Sequence, residues 1–339
     1  MARPGSMLSS PQDPSHGGGH APTWAIWSAM WAVYIVWGST YLAIAVVVET
    51  FPPFLSAAIR FLVAGALLYA WAIRRGDGEG DRPTLRHWRS AAIVGGALLL
   101  GGNGMVVWAE QTVPSGIAAL LVGTVPLWMV VISGLVLRER TTWREVLGIV
   151  VGFGGVALLV GPIGGGGTFD PWGVAAVVFA SISWASGSLY ARRAPLPERP
   201  LVGTAMEMLA GGLVLTLVAA VTGEFGRVEW SEISLASWIG TAYLVVFGSL
   251  VGFAAYAWLL RVAKTSLVAT YAYVNPVIAV LLGWAFLREP VTARTLVAGV
   301  VIVGAVALIV SARAEHGEEE PSGELGGASV EPPDEQLTA

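Results

Sequence analysis

The sequence predicts an all-α integral membrane protein whose ten transmembrane helices form two inverted five-helix repeats. Three observations predict it. Only 12% of the 339 residues are charged while 55% are apolar, and a soluble chain uses about twice that charge to solvate its surface. Apolar runs of roughly 20 residues, the length that crosses a hydrocarbon core about 30 Å thick, recur between short polar breaks. The chain also matches itself at a constant offset of 150 residues.

The runs are 24–48, 54–73, 90–109, 115–137, 145–161, 171–190, 201–222, 236–260, 266–287 and 292–312. Span 1 lacks a small-residue cleavage site, so it reads as a retained helix and not a signal peptide. Spans 2 and 7 each carry a charge well inside, Arg60 and Glu207. Span 3 ends at Glu110 and span 1 at Glu49, both read as solvated rim charges. Spans 4 and 9 carry the mid-span prolines Pro126 and Pro276, which free a carbonyl and leave a kink that is either a static bend or a hinge. Spans 5 and 10 close the two halves, and span 6 brings Trp184. The pairs Gly148/Gly152, Gly248/Gly252 and Gly101/Gly102 let helices pack closely in spans 5, 8 and 3. Residues 1–23, rich in Gly, Pro, Ser and His, read as a disordered cytoplasmic tail. The repeats occupy 24–161 and 170–312, and an acidic disordered tail follows at 313–339.

Fifteen of the nineteen Arg and Lys lie on the side shared by both termini; the other side has Arg227, Arg288 and Arg294, and Arg60 lies within a span. Positive charge stays cytoplasmic, so both termini are expected in the cytoplasm of a multi-pass plasma (inner) membrane protein. No basic face for nucleic acid is present.

The self-match is clearest where 137–160 meets 287–310, with 12 of 24 positions identical, including Leu137-Arg138-Glu139 against Leu287-Arg288-Glu289. The same offset pairs Pro126 with Pro276, Ala119 with Ala269, Trp108 with Trp258 and Gly102 with Gly252. An offset of 147 pairs Trp37 with Trp184, Ser39 with Ser186 and Arg60 with Glu207. Five spans per copy force the second copy to enter the membrane from the opposite face. Inverted repeats give two nearly equivalent packings, one open to each side, with a site near the midplane between them.

These residues resemble the EamA-type exporters of the drug/metabolite transporter superfamily. The likeness rests on the ten spans in two halves, on the proline-bearing helix followed by Leu-Arg-Glu, on Gly155-Val156-Ala157-Leu158, on Pro52-Pro53 to Arg60-Phe61, and on the run at 114–120. It covers roughly residues 24–312. The resemblance implies export of small metabolites, cytoplasmic termini, and a central cavity lined mainly by spans 1, 3, 4, 6, 8 and 9.

Zero cysteines remove thiolate chemistry, and the spans hold neither His nor Asp. A nucleophile with its base or a metal site cannot be assembled there, so no enzyme, metal or cofactor is expected. Arg60 and Glu207 each sit six residues inside their spans, about 9 Å deep, and about 12 Å apart in level. Arg60 either snorkels outward or anchors an anionic substrate group; Glu207 either carries a coupling proton or bonds a neighbouring helix. The candidate substrate-binding aromatics are Trp37, Trp128 and Trp184, near mid-membrane, as stacking surfaces. The candidate polar partners are Ser39, Tyr41, Asn103, Ser183, Ser186, Tyr256, Tyr271, Tyr273 and Asn275, which can equally bond helix to helix. Most of the other tryptophans, Trp24, Trp27, Trp71, Trp88, Trp143, Trp172, Trp230, Trp238 and Trp284, fit the interfacial belt.

The reading is a secondary active transporter exporting amino acids or aromatic, amphipathic molecules by alternating access, with proton coupling as an option. Its partners are a small-molecule substrate and the lipid bilayer. A passive facilitator is the nearest alternative, and a membrane sensor or scaffold without transport the next.

Overall fold

The computed structural model describes residues 21–75, 82–161 and 169–319. Its ten membrane-length helices are α1 (Thr23–Val48), α2 (Pro53–Arg74), α3 (Leu85–Ala109), α4 (Ser115–Val136), α5 (Trp143–Val160), α6 (Pro171–Ala191), α7 (Pro200–Val221), α8 (Leu235–Val262), α9 (Leu267–Leu287) and α10 (Ala293–Ala314). Among the described residues all regular structure is helical. The tail expectations for residues 1–20 and 320–339 lie outside the described residues.

Two boundaries differ from the sequence expectation. α3 begins at Leu85, five residues before 90, because Thr84 caps it: its hydroxyl accepts from the His87 N–H at 3.3 Å while the His87 ring accepts from the Thr84 N–H at 3.4 Å. Hydropathy reads this polar first turn as loop. Residues 313–319, expected in the tail, continue the last helix to Glu319.

Repeat mates share local conformation. Arg138 and Arg288, 150 residues apart, both take the left-handed region, at φ 56° and 55°. Each ends its span, and the N–H of the following glutamate reaches back to a carbonyl, Ser133 at 3.2 Å and Gly283 at 3.1 Å. α3 and α8 both loosen into π-helical turns, at Gly96–Gly104 and Leu244–Val251.

The packing follows the internal twofold. α2 lies along α7, α5 along α10 and α4 along α9, each a helix against its own repeat mate, while α1 packs on α8 and α9 as α6 packs on α3 and α4. Small residues make these contacts close. A Cβ on Gly65 would meet the Met208 Cβ at 2.9 Å and the Leu209 nitrogen at 3.0 Å; one on Gly212 would meet Leu62 at 2.9 Å. Gly65→Val is therefore expected to push α2 off α7 and destabilise the bundle by about 1–3 kcal/mol, read as a lower melting temperature in detergent.

Polar side chains fasten helix ends at the membrane faces. The Glu224 carboxylate accepts from the Phe54 N–H at 3.3 Å and the Leu55 N–H at 2.8 Å, capping α2 from the other half, and burial holds that carboxyl above its usual range despite these bonds. Asp170 caps α6, accepting from Gly173 at 2.9 Å and from the Thr112 hydroxyl at 3.0 Å; the Gly173 bond keeps its carboxyl below the usual range. At the opposite face Glu145 accepts from the Thr142 N–H at 2.8 Å and from the Arg313 guanidinium at 2.9 Å, tying α5 to α10. The outward-facing side chains are apolar, Leu217, Leu281 and Val300 among them, with Trp24, Trp71, Trp143, Trp172 and Trp284 exposed towards the helix ends, as a lipid-facing surface requires.

Candidate functional site

α4 and α9 lie side by side but meet along only half their length. At one end Glu289 accepts from the N–H groups of Ser115 and Gly116 at 2.7 and 3.1 Å, and a Cβ on Gly116 would meet Val280 at 3.1 Å. Halfway along, a Cβ on Gly123 would meet the Pro276 ring at 2.9 Å. Beyond Pro126 and Pro276 the two helices part, and Met129 faces Val268, Ala269 and Ala272 across open space. The result is a cavity of about 920 Å³, closed at the Glu289 end and open at the end where α1 begins and α10 finishes. Pro126 and Pro276 stand at the apex of the split.

The blind end is built around Arg60. The side chain is 3% exposed and turns into the bundle instead of snorkelling. Its Nε donates to the Ser249 hydroxyl at 3.0 Å and one terminal nitrogen donates to the Asn103 side-chain oxygen at 3.3 Å, with the cation 4.7 Å from the Phe61 ring centroid. Asn103 and Ser249 both belong to π-helical turns, which add a residue per turn and re-aim side chains. Among the described residues no carboxylate lies within ion-pair distance of Arg60. A guanidinium has five N–H donors, and these two bonds leave the rest for the cavity that it lines.

One wall is aromatic. Trp37 has ring centroids 5.4 Å from Phe253, 5.2 Å from Tyr256 and 5.2 Å from Tyr271, and Tyr256 meets Tyr271 edge-on at 5.7 Å. The Trp37 indole N–H donates to the Gly248 carbonyl at 3.2 Å, which fixes the ring plane. Trp184 faces it from α6. Each tryptophan lies against a glycine of the opposite half, Trp37 against Gly252 and Trp184 against Gly102. The tryptophans are repeat mates, and so are the glycines.

The structure therefore brings Trp37, Tyr41, Asn103, Trp184, Tyr256, Tyr271 and Asn275 together around the cavity, with Arg60, Pro126 and Pro276. The other sequence candidates lie elsewhere. Ser39 bonds the Tyr243 hydroxyl at 2.6 Å, tying α1 to α8; Ser183 donates to the Ala97 carbonyl at 2.8 Å, tying α6 to α3. Ser186 is exposed and bonds its own helix at the Ile182 carbonyl. Trp128 packs edge-on against Phe153 at 4.8 Å, and Tyr273 joins the apolar cluster between α4 and α10. Glu207 is half-buried on α7, outside the cavity lining.

Sequence reasoning missed several lining residues. Phe253 follows Gly252 and precedes Tyr256 by three, a helical spacing that could have revealed it. The mouth holds Arg140, Arg192, Lys264 and Arg313 beside Glu139 and Glu145, a charged rim. These residues are scattered over four corners, and only the fold assembles them. Glu110, expected as a solvated rim charge, is buried at 7% exposure, near enough to Glu289 of the corner after α9 to feel its charge.

Comparison with known proteins gives a family model, the EamA-like transporter family, that matches residues 23–161 and again 171–311. The inner membrane transporter YedA of Escherichia coli (strain K12) is 42% identical over 286 residues, 84% of this chain and 90% of YedA. Protein PecM of Dickeya dadantii is 28% identical, covering 81% of this chain and 88% of PecM. A crystal structure 24% identical in sequence shares the fold at a TM-score of 0.59, over 88% of this chain and 100% of its own.

Proposed function

Since the chain belongs to the EamA-like transporter family and is a membrane transporter by that membership, we propose that it is a secondary active exporter of small amphipathic molecules working by alternating access. The observation that carries this reading is the cavity: one end zipped by α4 and α9, the other open, with paired prolines at the apex. A facilitator needs a continuous path, and the closed end argues against one. Fifteen of the nineteen cationic side chains lie on the side of both termini, so the open mouth faces the cytoplasm of the plasma membrane by the positive-inside rule. That is the state in which an exporter loads.

The lining favours a zwitterion or carboxylate with a flat body. Arg60 offers donors to a carboxylate at the blind end, and the Trp37, Tyr256 and Tyr271 wall offers faces for stacking or for a cation. Asn275 stands in the cavity wall with its side-chain oxygen buried and without a partner, an acceptor for a substrate N–H. An aromatic amino acid matches all three groups.

The test is exchange in proteoliposomes loaded with unlabelled aromatic amino acids and challenged with labelled ones. Saturable exchange is expected, and Trp37→Ala should raise the half-saturating concentration about tenfold, the equivalent of ~1.4 kcal/mol of stacking. Flux that never saturates would return the facilitator, and no flux for any amino acid or aromatic cation would return the sensor.

A further inference from the structure

Glu110 closes α3 on the same stripe as Asn103 and Val106, both cavity residues, at helical spacings of seven and four. It thus stands just beyond the blind end, on the side of the closed gate. Its side chain is more than nine-tenths buried, and neither carboxylate oxygen has a hydrogen-bond partner. An ionised carboxylate without donors is among the costliest groups to bury.

The charged and titratable groups on the elements around it are few. α1 presents Tyr41; α2 presents Arg60, already bonded to Asn103 and Ser249; α6 presents Asp170 at its exposed cap; the corner after α9 presents Glu289. Of these, Glu289 lies close enough for its charge to be felt at Glu110. Glu289 has two backbone N–H donors from the start of α4, whereas Glu110 has none. Burial without a donor, with the charge of Glu289 added to it, disfavours the ionised form, so Glu110 holds its proton in the closed gate.

Among the described residues no buried carboxylate without a partner lies at the mouth. The repeat mate of Glu110 is Leu260, and the mate of Glu289 is Glu139, whose carboxylate is half exposed 3.8 Å from Arg193. At the Glu110/Leu260 pair the two halves differ in charge, with the carboxyl on the outer-gate side.

We infer that Glu110 is a proton-binding site of the outer gate: with its proton bound, α4 and α9 close beside Glu289, and when their outer ends part, Glu110 meets external water and exchanges its proton there. The inference rests on the alternating-access reading. The closed gate holds one proton more than the open gate, so acid outside favours closure and alkali favours opening. A proton taken up through the open gate is enclosed when it shuts, which is the outer half of a proton-for-substrate exchange.

The chain has no cysteine, so one introduced thiol reports cleanly. Ser115→Cys places it at a side chain of 0% exposure inside the closed gate, and Leu85→Cys, at 79%, supplies the reference for the intrinsic pH dependence of labelling. In lipid nanodiscs, the labelling rate of the Ser115 reporter by a charged maleimide, divided by that of the Leu85 reporter, is expected to rise with pH by up to about tenfold per unit within the titration window. Adding Glu110→Gln should leave labelling slow and flat, Glu110→Asp should restore a slope, and Glu207→Gln should keep it. A slope that persists in Glu110→Gln overturns the proton site. Labelling that responds to an aromatic amino acid but not to pH overturns it too and leaves alternating access standing, while labelling that responds to neither overturns both.

Discussion

Gly252→Leu will raise the half-saturating concentration for transport at least about tenfold while leaving a folded ten-helix bundle. A side chain there enters the space of the Trp37 ring: even a bare Cβ would stand 2.9 Å from one ring carbon and closer still to the indole nitrogen. Trp37 cannot yield without breaking its bond to the Gly248 carbonyl and its contacts with Phe253, Tyr256 and Tyr271. The stacking wall is displaced as a unit. Overpacking of this kind costs about 1–3 kcal/mol of stability, and the displaced binding surface costs at least about tenfold in affinity besides, or ~1.4 kcal/mol. Gly102→Leu should act alike through Trp184, whose ring lies 2.6 Å from a Cβ built there. Gly154, exposed on α5 with nothing within 4 Å of its built Cβ, supplies the control. Exchange activity, gel-filtration profile and melting temperature of the three variants decide the matter. Equal activity in Gly252→Leu and Gly154→Leu would remove Trp37 from the binding site.

Arg60→Met should leave the fold intact and strip the blind end of its charge. The residue buries a cation without a carboxylate partner among the described residues, so removing it relieves a desolvation cost and orphans only Asn103 and Ser249. For a carboxylate substrate, losing a buried charged partner costs about 2–4 kcal/mol, a weakening of roughly 30- to 1,000-fold. An amine of the same body without the carboxylate should be spared. The two half-saturating concentrations in one preparation give the answer, and equal weakening of both would mean that Arg60 only supports the wall.

The ten spans and the inverted halves were legible because bilayer thickness and duplication both leave linear marks, run length and constant offset. Trp37 and Trp184 stood out for the same reason, as repeat mates. Facing was not legible. Helices such as α1, α6 and α9 are apolar nearly all round, so periodicity does not say which side meets the cavity, and Ser39, Ser183, Ser186, Trp128 and Tyr273 lie elsewhere. The π-helical turns in α3 and α8 add to this, since one extra residue per turn rotates everything beyond it. Arg60 showed in the sequence as a buried charge, but its inward aim depends on Asn103 and Ser249 from two other helices. Glu110 misled because burial at a helix end is set by tertiary packing, and Glu289, whose charge it feels, lies 179 positions further along the chain.

The parting of α4 from α9 opens a space of about 920 Å³. At about 30 Å³ of liquid per molecule, that is room for on the order of 30 waters. A solute the size of an amino acid fills the blind end and leaves the mouth wet, so discrimination falls to the few side chains at that end. Bulk added to the tail of a ligand, pointing to the mouth, should cost little affinity and gain little. Such a transporter sorts its cargo by the head it presents and is tolerant of length.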